Sequence, residues 1–281
     1  MASRLEERII EKAKELGADL VGIASIEPLK DSPSHYLLST VGRKIDGIGG
    51  DSGSDDPQQV QWPTGARTAL IIAVAHPKAK PELDWSHSRK TSTFRGNSPG
   101  NKMLITINKE LSAWIERTEG INTHPLSYST EEGGIYFKDA AVLAGLGCIG
   151  KNNLLITPEY GPRVRLRGML LEAELETTGT IDYDPFKDCM EYCRRACPQE
   201  AFNGAVSLPK EIEVLNPPAR DAFYRRSRCM VQMYADWKLG QPANNKTTGG
   251  MDKDKVQNTE TILVKYCRQC ELACPEGNPG V

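Results

Sequence analysis

The spacing of apolar residues in the first part of the chain predicts several helices. Apolar residues recur every three or four positions from Leu5 to Leu16, and Gly17 follows as a stop signal, so the pattern predicts an N-terminal helix. The same periodicity appears over residues 101–118 and again over residues 138–146. We therefore expect three helices in this part of the chain.

Three other segments have the character of strands. Residues 20–24 form a short apolar run, and residues 69–75 form a nearly all-apolar run, which is typical of a strand buried on both faces. Residues 164–175 alternate between polar and apolar positions, which predicts a strand with two unlike faces. Arg163, Arg165 and Arg167 share one of these faces. That arginine face fits either a solvated surface or an anion-binding site.

The pattern changes near residue 179, where mixed helices and strands give way to a region rich in cysteine. From there on, the sequence predicts short helices at most. We therefore expect an α/β or α+β layer domain over residues 1–178. A small ferredoxin-like module should follow over residues 179–281, with iron ligation replacing much of an apolar core.

Seven of the eight cysteines follow residue 188, and most of them form two groups that each end in Cys-Pro. The groups are Cys189-x3-Cys193-x3-Cys197-Pro and Cys267-x2-Cys270-x3-Cys274-Pro, with Cys229 alone between them. Two-cluster ferredoxins use short cysteine runs in which the last member, followed by Pro, binds the other cluster. The pattern therefore predicts that electrons pass through iron–sulfur clusters in this chain.

Zinc and disulfides are the rival interpretations of the same cysteines. Structural zinc sites take four ligands each and rarely end in Cys-Pro, and seven thiols do not divide into such sites. Disulfides need an oxidising compartment. The N-terminal segment is charged and amphipathic rather than a secretory signal, and no apolar run approaches the roughly 18 residues of a membrane span. We therefore expect a cytoplasmic protein with reduced thiols and no membrane partner.

The crossing rule of the two-cluster ferredoxins divides the cysteines unequally between the two clusters. One cluster receives four thiolates and the other receives three: Cys197, Cys229, Cys267 and Cys270 for the first, and Cys189, Cys193 and Cys274 for the second. These two sets are called the four-cysteine group and the three-cysteine group below. The three-cysteine group is one ligand short of a cubane cluster.

The missing ligand has three candidate explanations. Phe186 or Lys187 occupies the stretch in which the ferredoxin run has its further cysteine. Cys148 could supply a thiolate, Asp184 or Asp188 could supply an oxygen, or one iron could remain open. The alternative for Cys148 is a small buried apolar residue, which is the usual role of a free cysteine.

Residues 144–161 read AGLGCIGKNNLLITPEYG, which closely resembles a glycine-rich segment of the epoxyqueuosine reductases. The two Cys-Pro groups and the lone cysteine between them occur in the same order as in that family. The chain thus resembles a short member of the superfamily of epoxyqueuosine reductases and reductive dehalogenases, one that lacks the C-terminal helical repeats.

The resemblance implies an α+β fold, with a nitroreductase-like α/β layer domain followed by a ferredoxin-like module that holds two [4Fe–4S] clusters. It also implies a base-off corrinoid such as cobalamin, an external electron donor of ferredoxin or flavodoxin type, and reductive cleavage of a small or nucleoside-like substrate. By the same resemblance, six residues would line the corrin pocket: Gly145, Gly147, Cys148, Gly150, Lys151 and Asn152.

The proton donor is where this chain departs from the family. Epoxyqueuosine reductases place an aspartate thirteen residues before the glycine-rich segment, and the corresponding residue here is Glu131. Tyr128 is a second candidate, because reductive dehalogenases use a tyrosine. Glu131 could instead be a solvated loop carboxylate.

A net charge of −2 gives no basic field for nucleic acid, so none is expected as a partner. A non-enzymatic electron-transfer protein, or a reductive activator of another corrinoid protein, remains the alternative function.

Overall fold

The computed structural model describes residues 4–32, 34, 62–89, 98–128, 134–202, 224–242 and 261–277. Its helices are α1 (Leu5–Glu15), α2 (Ile26–Lys30), α3 (Pro99–Trp114), α4 (Phe137–Leu143), α5 (Tyr192–Arg195), α6 (Arg226–Lys238) and α7 (Gln269–Leu272). Its strands are β1 (Leu20–Ser25), β2 (Thr68–Ala75), β3 (Ser86–Arg89), β4 (Thr123–Pro125), β5 (Cys148–Ile149), β6 (Leu155–Ile156), β7 (Val164–Leu171), β8 (Gln241–Pro242) and β9 (Thr261–Val264). A 3-10 helix spans Pro81–Asp84, and a π-helical turn, Ile115–Glu119, follows α3.

A four-stranded antiparallel sheet in the order β1-β2-β7-β4 forms the centre of the first part of the chain. All eight residues of β2 are buried, which confirms the prediction of a strand covered on both faces. Ala69, Ile71 and Ala73 pack into one apolar cluster, and Leu70, Ile72 and Val74 pack into the other. Each fully buried Leu or Ile of this kind stabilises the fold by about 1.5–3 kcal/mol.

Helices cover both faces of this sheet because each has an apolar side that needs burial. On one face lie α1 and α3, which contribute Ile9, Ala13, Leu104, Ile107 and Leu111. On the other lie α2 and α4, which contribute Ile26, Leu29, Phe137, Ala140 and Ala141. The predicted N-terminal helix, the helix predicted over residues 101–118 and the helix predicted over residues 138–146 are thus present, with modest shifts of their ends.

Two smaller sheets connect the layered part to the cysteine region. Strand β3 pairs with β9 and β9 with β8, so a strand that precedes the glycine-rich segment shares a sheet with one that follows Cys229. Strands β5 and β6 form a hairpin within the glycine-rich segment. No helix in the described part of the chain combines the length and the apolar character needed to cross a bilayer.

One sequence-based expectation needs correction, and one of two open alternatives for the arginine face is excluded. Helix α6 has 13 residues, so the prediction of short helices at most after residue 179 was wrong. Its apolar residues give no clear helical stripe, and Val231 and Tyr234 are exposed. The arginine face of β7 is not a solvated surface either, because Arg163 is 2% exposed and Arg167 is 9% exposed.

Candidate iron–sulfur site

The three-cysteine group comes together from both Cys-Pro motifs. Helix α5 contains Cys193 and α7 contains Cys270, and the two helices pack against each other. Burial raises the pKa of Cys193 to about 11, with a further contribution from the thiolate charges of Cys274 and Cys189. These three thiols therefore lie close enough to influence one another. Cys274, from the second motif, is next to two cysteines of the first.

The four-cysteine group is assembled in the same way. Burial raises the pKa of Cys270 to about 12, and the charges of Glu271, Cys229, Cys267 and Cys197 add to that effect. Burial also raises the pKa of Cys267, and Cys229 and Cys197 contribute again. The structure therefore brings together, as one set, the cysteines that the crossing rule placed together. Their role as iron ligands stays a prediction.

The donor chemistry of both groups fits iron–sulfur clusters. All eight cysteines are free thiols. Buried thiols resist ionisation on their own, and the charge of bound iron is what makes thiolates favourable in such a place. Backbone N–H groups already point at two of the sulfurs: Ala201 N donates to Cys197 Sγ at 3.3 Å, and Glu191 N donates to Cys189 Sγ at 3.4 Å. Hydrogen bonds of this kind tune the potential of a cluster.

Zinc sites and iron–sulfur clusters place different demands on the spacing of their thiols. Among the described residues, no three His, Cys, Asp or Glu side chains converge on one point as the ligands of one ion would. A tetrahedral zinc ion needs every sulfur about 2.3 Å from its centre. The four thiolates of a cubane bind four different irons and are therefore farther apart.

A cavity of about 290 Å³ lies beside the three-cysteine group. Its walls include Cys189, Cys193 and Cys274, together with three residues of the glycine-rich segment, Gly150, Lys151 and Asn152. Asp184 and Asp188 also line it. Half of the six residues predicted to line a corrin pocket thus face the space next to this cysteine group.

Gly145 and Gly147 serve the packing of the glycine-rich segment. A Cβ on Gly145 would lie 2.2 Å from the carbonyl oxygen of Gly179, and one on Gly147 would lie 2.0 Å from the carbonyl oxygen of Ile156. Both positions therefore need glycine because the backbone approaches so closely. Their contact with a corrinoid stays a prediction, since backbone carbonyls fill the space beside them.

Lys151 and Asn152 attach the glycine-rich segment to the cysteine region. Lys151 Nζ forms an ion pair with Glu191 Oε1 at 3.0 Å, and the Lys151 carbonyl accepts a hydrogen bond from Arg194 Nε at 3.1 Å. The buried Asn152 donates from Nδ2 to the Cys270 carbonyl at 3.3 Å. These contacts hold the segment against both α5 and α7.

Of the two candidate proton donors, only Tyr128 belongs to the described residues. Glu131 lies outside the described residues. Tyr128 is 64% exposed and follows β4. Burial lowers the pKa of Arg167, and a charged Tyr128 opposes that shift, so the two side chains lie near each other. Tyr128 is therefore a reachable phenol beside the arginine face of β7.

A buried charge network that the sequence did not predict joins the sheet to α7. Asp84 contacts His76 Nδ1, Arg165 at 3.2 Å and Arg268 at 2.7 Å. Burial alone would raise the pKa of Asp84, but the His76 hydrogen bond and the two arginine charges outweigh it and lower the pKa. Glu271 completes the network by pairing with Arg165 at 2.8 Å and with Arg268.

The sequence carried only part of the signal for this network. Arg268 and Glu271 stand on either side of Cys270 in the second motif, so the sequence alone places them near a predicted cluster ligand. Nothing in the surroundings of Asp84 along the chain marks it as their partner. The sequence left Arg165 either solvated or bound to an anion. In the structure it pairs with the carboxylates of Asp84 and Glu271.

Among known proteins, the chain is similar to two kinds of reductase. No protein-family model matches the chain. An epoxyqueuosine reductase from Gloeobacter violaceus is 32% identical over 204 residues, which cover 69% of this chain and 60% of that protein. A tetrachloroethene reductive dehalogenase from Desulfitobacterium hafniense is 26% identical, over 85% of this chain and 46% of that protein. The chain spans about half the length of the curated relatives it matches.

Solved structures show the same fold. The structure of an epoxyqueuosine reductase from Streptococcus thermophilus superimposes with a TM-score of 0.58 at 23% identity, covering 97% of this chain and 66% of that one. The mixed α/β architecture is therefore that of the epoxyqueuosine reductases. Together with the glycine-rich segment and the Cys-Pro groups, these similarities make the chain a relative of the epoxyqueuosine reductases and the reductive dehalogenases.

Proposed function

We propose that this protein is an iron–sulfur reductase, which takes electrons from an external donor of ferredoxin or flavodoxin type and passes them through two clusters to a corrinoid. The observation that carries the proposal is the assembly of the cysteines into two groups, each drawing on both Cys-Pro motifs. The relatives, which are reductases and reductive dehalogenases, support the proposed reaction class of reductive bond cleavage. We propose a small or nucleoside-like substrate for it.

In this proposal the chain consists of a nitroreductase-like domain over residues 1–178 and a ferredoxin-like module over residues 179–281. One [4Fe–4S] cluster would be held by the four-cysteine group and the other by the three-cysteine group. A base-off corrinoid such as cobalamin would supply a strongly reducing metal centre when bound. The compartment remains the one expected from the sequence, the cytoplasm.

The chain's own residues have definite tasks in this scheme. The three-cysteine group and the four-cysteine group hold the clusters, and Asn152 connects the cavity of the first to the backbone of the second through Cys270. Gly150, Lys151 and Asn152 line the cavity, and the resemblance predicts that the same three residues border a corrinoid. Glu131 or Tyr128 would donate the proton to the leaving group, as general acids do when held near the reacting atom.

The electron-transfer alternative rests on one observation. Backbone carbonyls fill the space beside Gly145 and Gly147, where the family resemblance expects a corrin ring. A protein that holds two clusters without a corrinoid, and reduces another corrinoid protein, would show the same cysteine arrangement.

One experiment separates these functions. The protein is reconstituted anaerobically, its iron and acid-labile sulfide are measured, and it is then titrated with cobalamin while the visible spectrum is followed. The proposal expects about eight iron and about eight sulfide per chain, followed by a saturable spectral change at about one cobalamin per chain. Two clusters without saturable binding would leave the electron-transfer function. Colourless protein without acid-labile sulfide would overturn both.

A further inference from the structure

The β5–β6 hairpin has two unlike faces, and Cys148 is on the face that meets the cysteine region. Cys148 pairs with Ile156 across the hairpin, and both side chains belong to a small apolar cluster with Cys274. The neighbouring Leu155 packs instead into the core of the main sheet. Because side chains alternate along a strand, Cys148 is directed away from the sheet and toward the three-cysteine group.

Cys148 lies directly behind the wall of the cavity beside that group. Its cross-strand partner Ile156 is part of the wall, as is Cys274, which packs in the same apolar cluster as Cys148. Cys148 itself is 3% exposed. Its thiol is therefore separated from the cavity by residues of the wall that belong to its own apolar cluster, among them Ile156 and Cys274.

The position of the absent ferredoxin cysteine supports the same assignment. Phe186 stands in the stretch where the ferredoxin run has its further cysteine, and its side chain packs against the cluster of Cys148, Ile156 and Cys274. The place where that thiol would act is thus next to Cys148. A thiol from the glycine-rich segment therefore lies in the same apolar cluster as the residue that stands where the cysteine run lacks a thiol.

The nearby carboxylates are less suitable ligands. Asp184 and Asp188 line the cavity, but both are exposed. Asp184 Oδ1 is already engaged, because it accepts a hydrogen bond from the Phe186 backbone at 2.9 Å. Iron–sulfur clusters are held by thiolates. Ligation by Cys148 uses a thiol that is already buried, whereas ligation by Asp184 or Asp188 would require a solvated carboxylate to move inward.

We propose that Cys148 is the fourth thiolate of the cluster held by Cys189, Cys193 and Cys274. The inference rests on the proposed function, since it requires that clusters are bound. It gives all eight cysteines a role, four to each cluster. It also means that one cluster is anchored on β5 as well as on the cysteine region, so the metal itself joins the two parts of the chain.

The test compares the wild-type protein with Cys148→Ala and Cys148→Ser after anaerobic reconstitution. Iron and sulfide are quantified, and electron paramagnetic resonance spectra are recorded in the oxidised and reduced states. Cys148→Ala should fall from about eight iron per chain to about seven, with a paramagnetic three-iron cluster in the oxidised state, or to about four if the whole cluster is lost. Asp184→Asn and Asp188→Asn are matched controls that should keep the wild-type iron content and spectra.

Several results would overturn this assignment. A wild-type iron content and unchanged spectra in Cys148→Ala would exclude Cys148 as a ligand. Loss of iron in Asp184→Asn or Asp188→Asn, with Cys148→Ala unaffected, would show that an aspartate is the ligand instead. Circular dichroism and the signal of the four-cysteine cluster report whether each variant is folded. Should Cys148→Ala fail to fold, the near-isosteric Cys148→Ser decides, because an unaltered spectrum contradicts ligation and a shifted one supports it. Wild-type protein without acid-labile sulfide would instead contradict the proposed function.

Discussion

Two glycines with the same backbone conformation have very different surroundings. Gly145 has φ +72° and Gly120 has φ +67°, both in the left-handed region that disfavours other residues. A Cβ on Gly145 would meet the Gly179 carbonyl oxygen at 2.2 Å, whereas no atom of the described residues lies within 4 Å of a Cβ on Gly120. This pair therefore separates the cost of an unfavourable φ from the cost of steric overlap.

We expect Gly120→Ala to lower the stability by about 1 kcal/mol, because only the backbone conformation is penalised. Gly145→Ala should cost about 1–3 kcal/mol more, because the methyl group must displace a backbone carbonyl. The measurement is the midpoint of thermal unfolding of both variants, reconstituted identically and kept anaerobic. Equal shifts in the two variants would contradict the close packing of Gly145 on Gly179.

The glycine-rich segment shows what a sequence can predict at this scale. The motif was visible, and the resemblance assigned Gly145 and Gly147 to a corrin pocket. The contacts that require glycine at both positions were not visible, because Gly179 and Ile156 approach only through tertiary structure. The same limit applies to Cys148, whose burial was foreseen as one of two outcomes but whose packing against Ile156 and Phe186 was not.

At the scale of elements, α7 is held to the sheet by buried charges. Glu271 has a side chain that is 4% exposed and lies between Arg165 on β7 and Arg268, the N-cap residue of α7. Its carboxylate balances two guanidinium groups, with Asp84 as the other anion of the network. Removing one member of a buried network leaves its partners without compensation, which costs far more than the loss of an exposed pair.

Glu271→Gln should therefore destabilise the protein by about 3–5 kcal/mol, since the shape is kept but the charge is lost. Glu176→Gln is the control, because Glu176 pairs with Arg4 at 2.6 Å with both side chains about two-thirds exposed. The control should change stability by no more than about 1 kcal/mol. Thermal unfolding and iron content are measured for both, since α7 carries Cys270. Similar small effects in the two variants would show that the network is not important for docking α7.

Elements with a strong apolar period were predictable, and those without one were not. The run in β2 is apolar at nearly every position, so its burial on both faces followed from the residues alone. Helix α6 has no comparable stripe, and its exposed Val231 and Tyr234 would not lead one to expect a helix of 13 residues. The pairing of β3 with β9 was also beyond reach, because it joins segments far apart in the sequence.

At the scale of the whole molecule, the two parts of the chain have unequal apolar cores. The main sheet is packed on both faces by two large clusters of fully buried residues. The apolar cluster at the three-cysteine group contains three buried residues, Cys148, Ile156 and Cys274. Helices α5 and α7 have four residues each, which is too short for independent stability. Under the proposed function, metal ligation would supply in this region what burial supplies in the main sheet.

Removing iron should therefore unfold the cysteine region while the sheet persists. The anaerobically reconstituted protein is treated with a chelator, and hydrogen–deuterium exchange is followed by mass spectrometry. Peptides that cover β2 and β7 should keep most of their protection, because their hydrogen bonds lie in a core that needs no metal. Peptides that cover α5 and α7 should lose theirs and regain it when iron and sulfide are restored. Loss of protection throughout the chain would show that the sheet depends on the metal as well. Unchanged protection in α5 and α7 would show that the cysteine region folds without it.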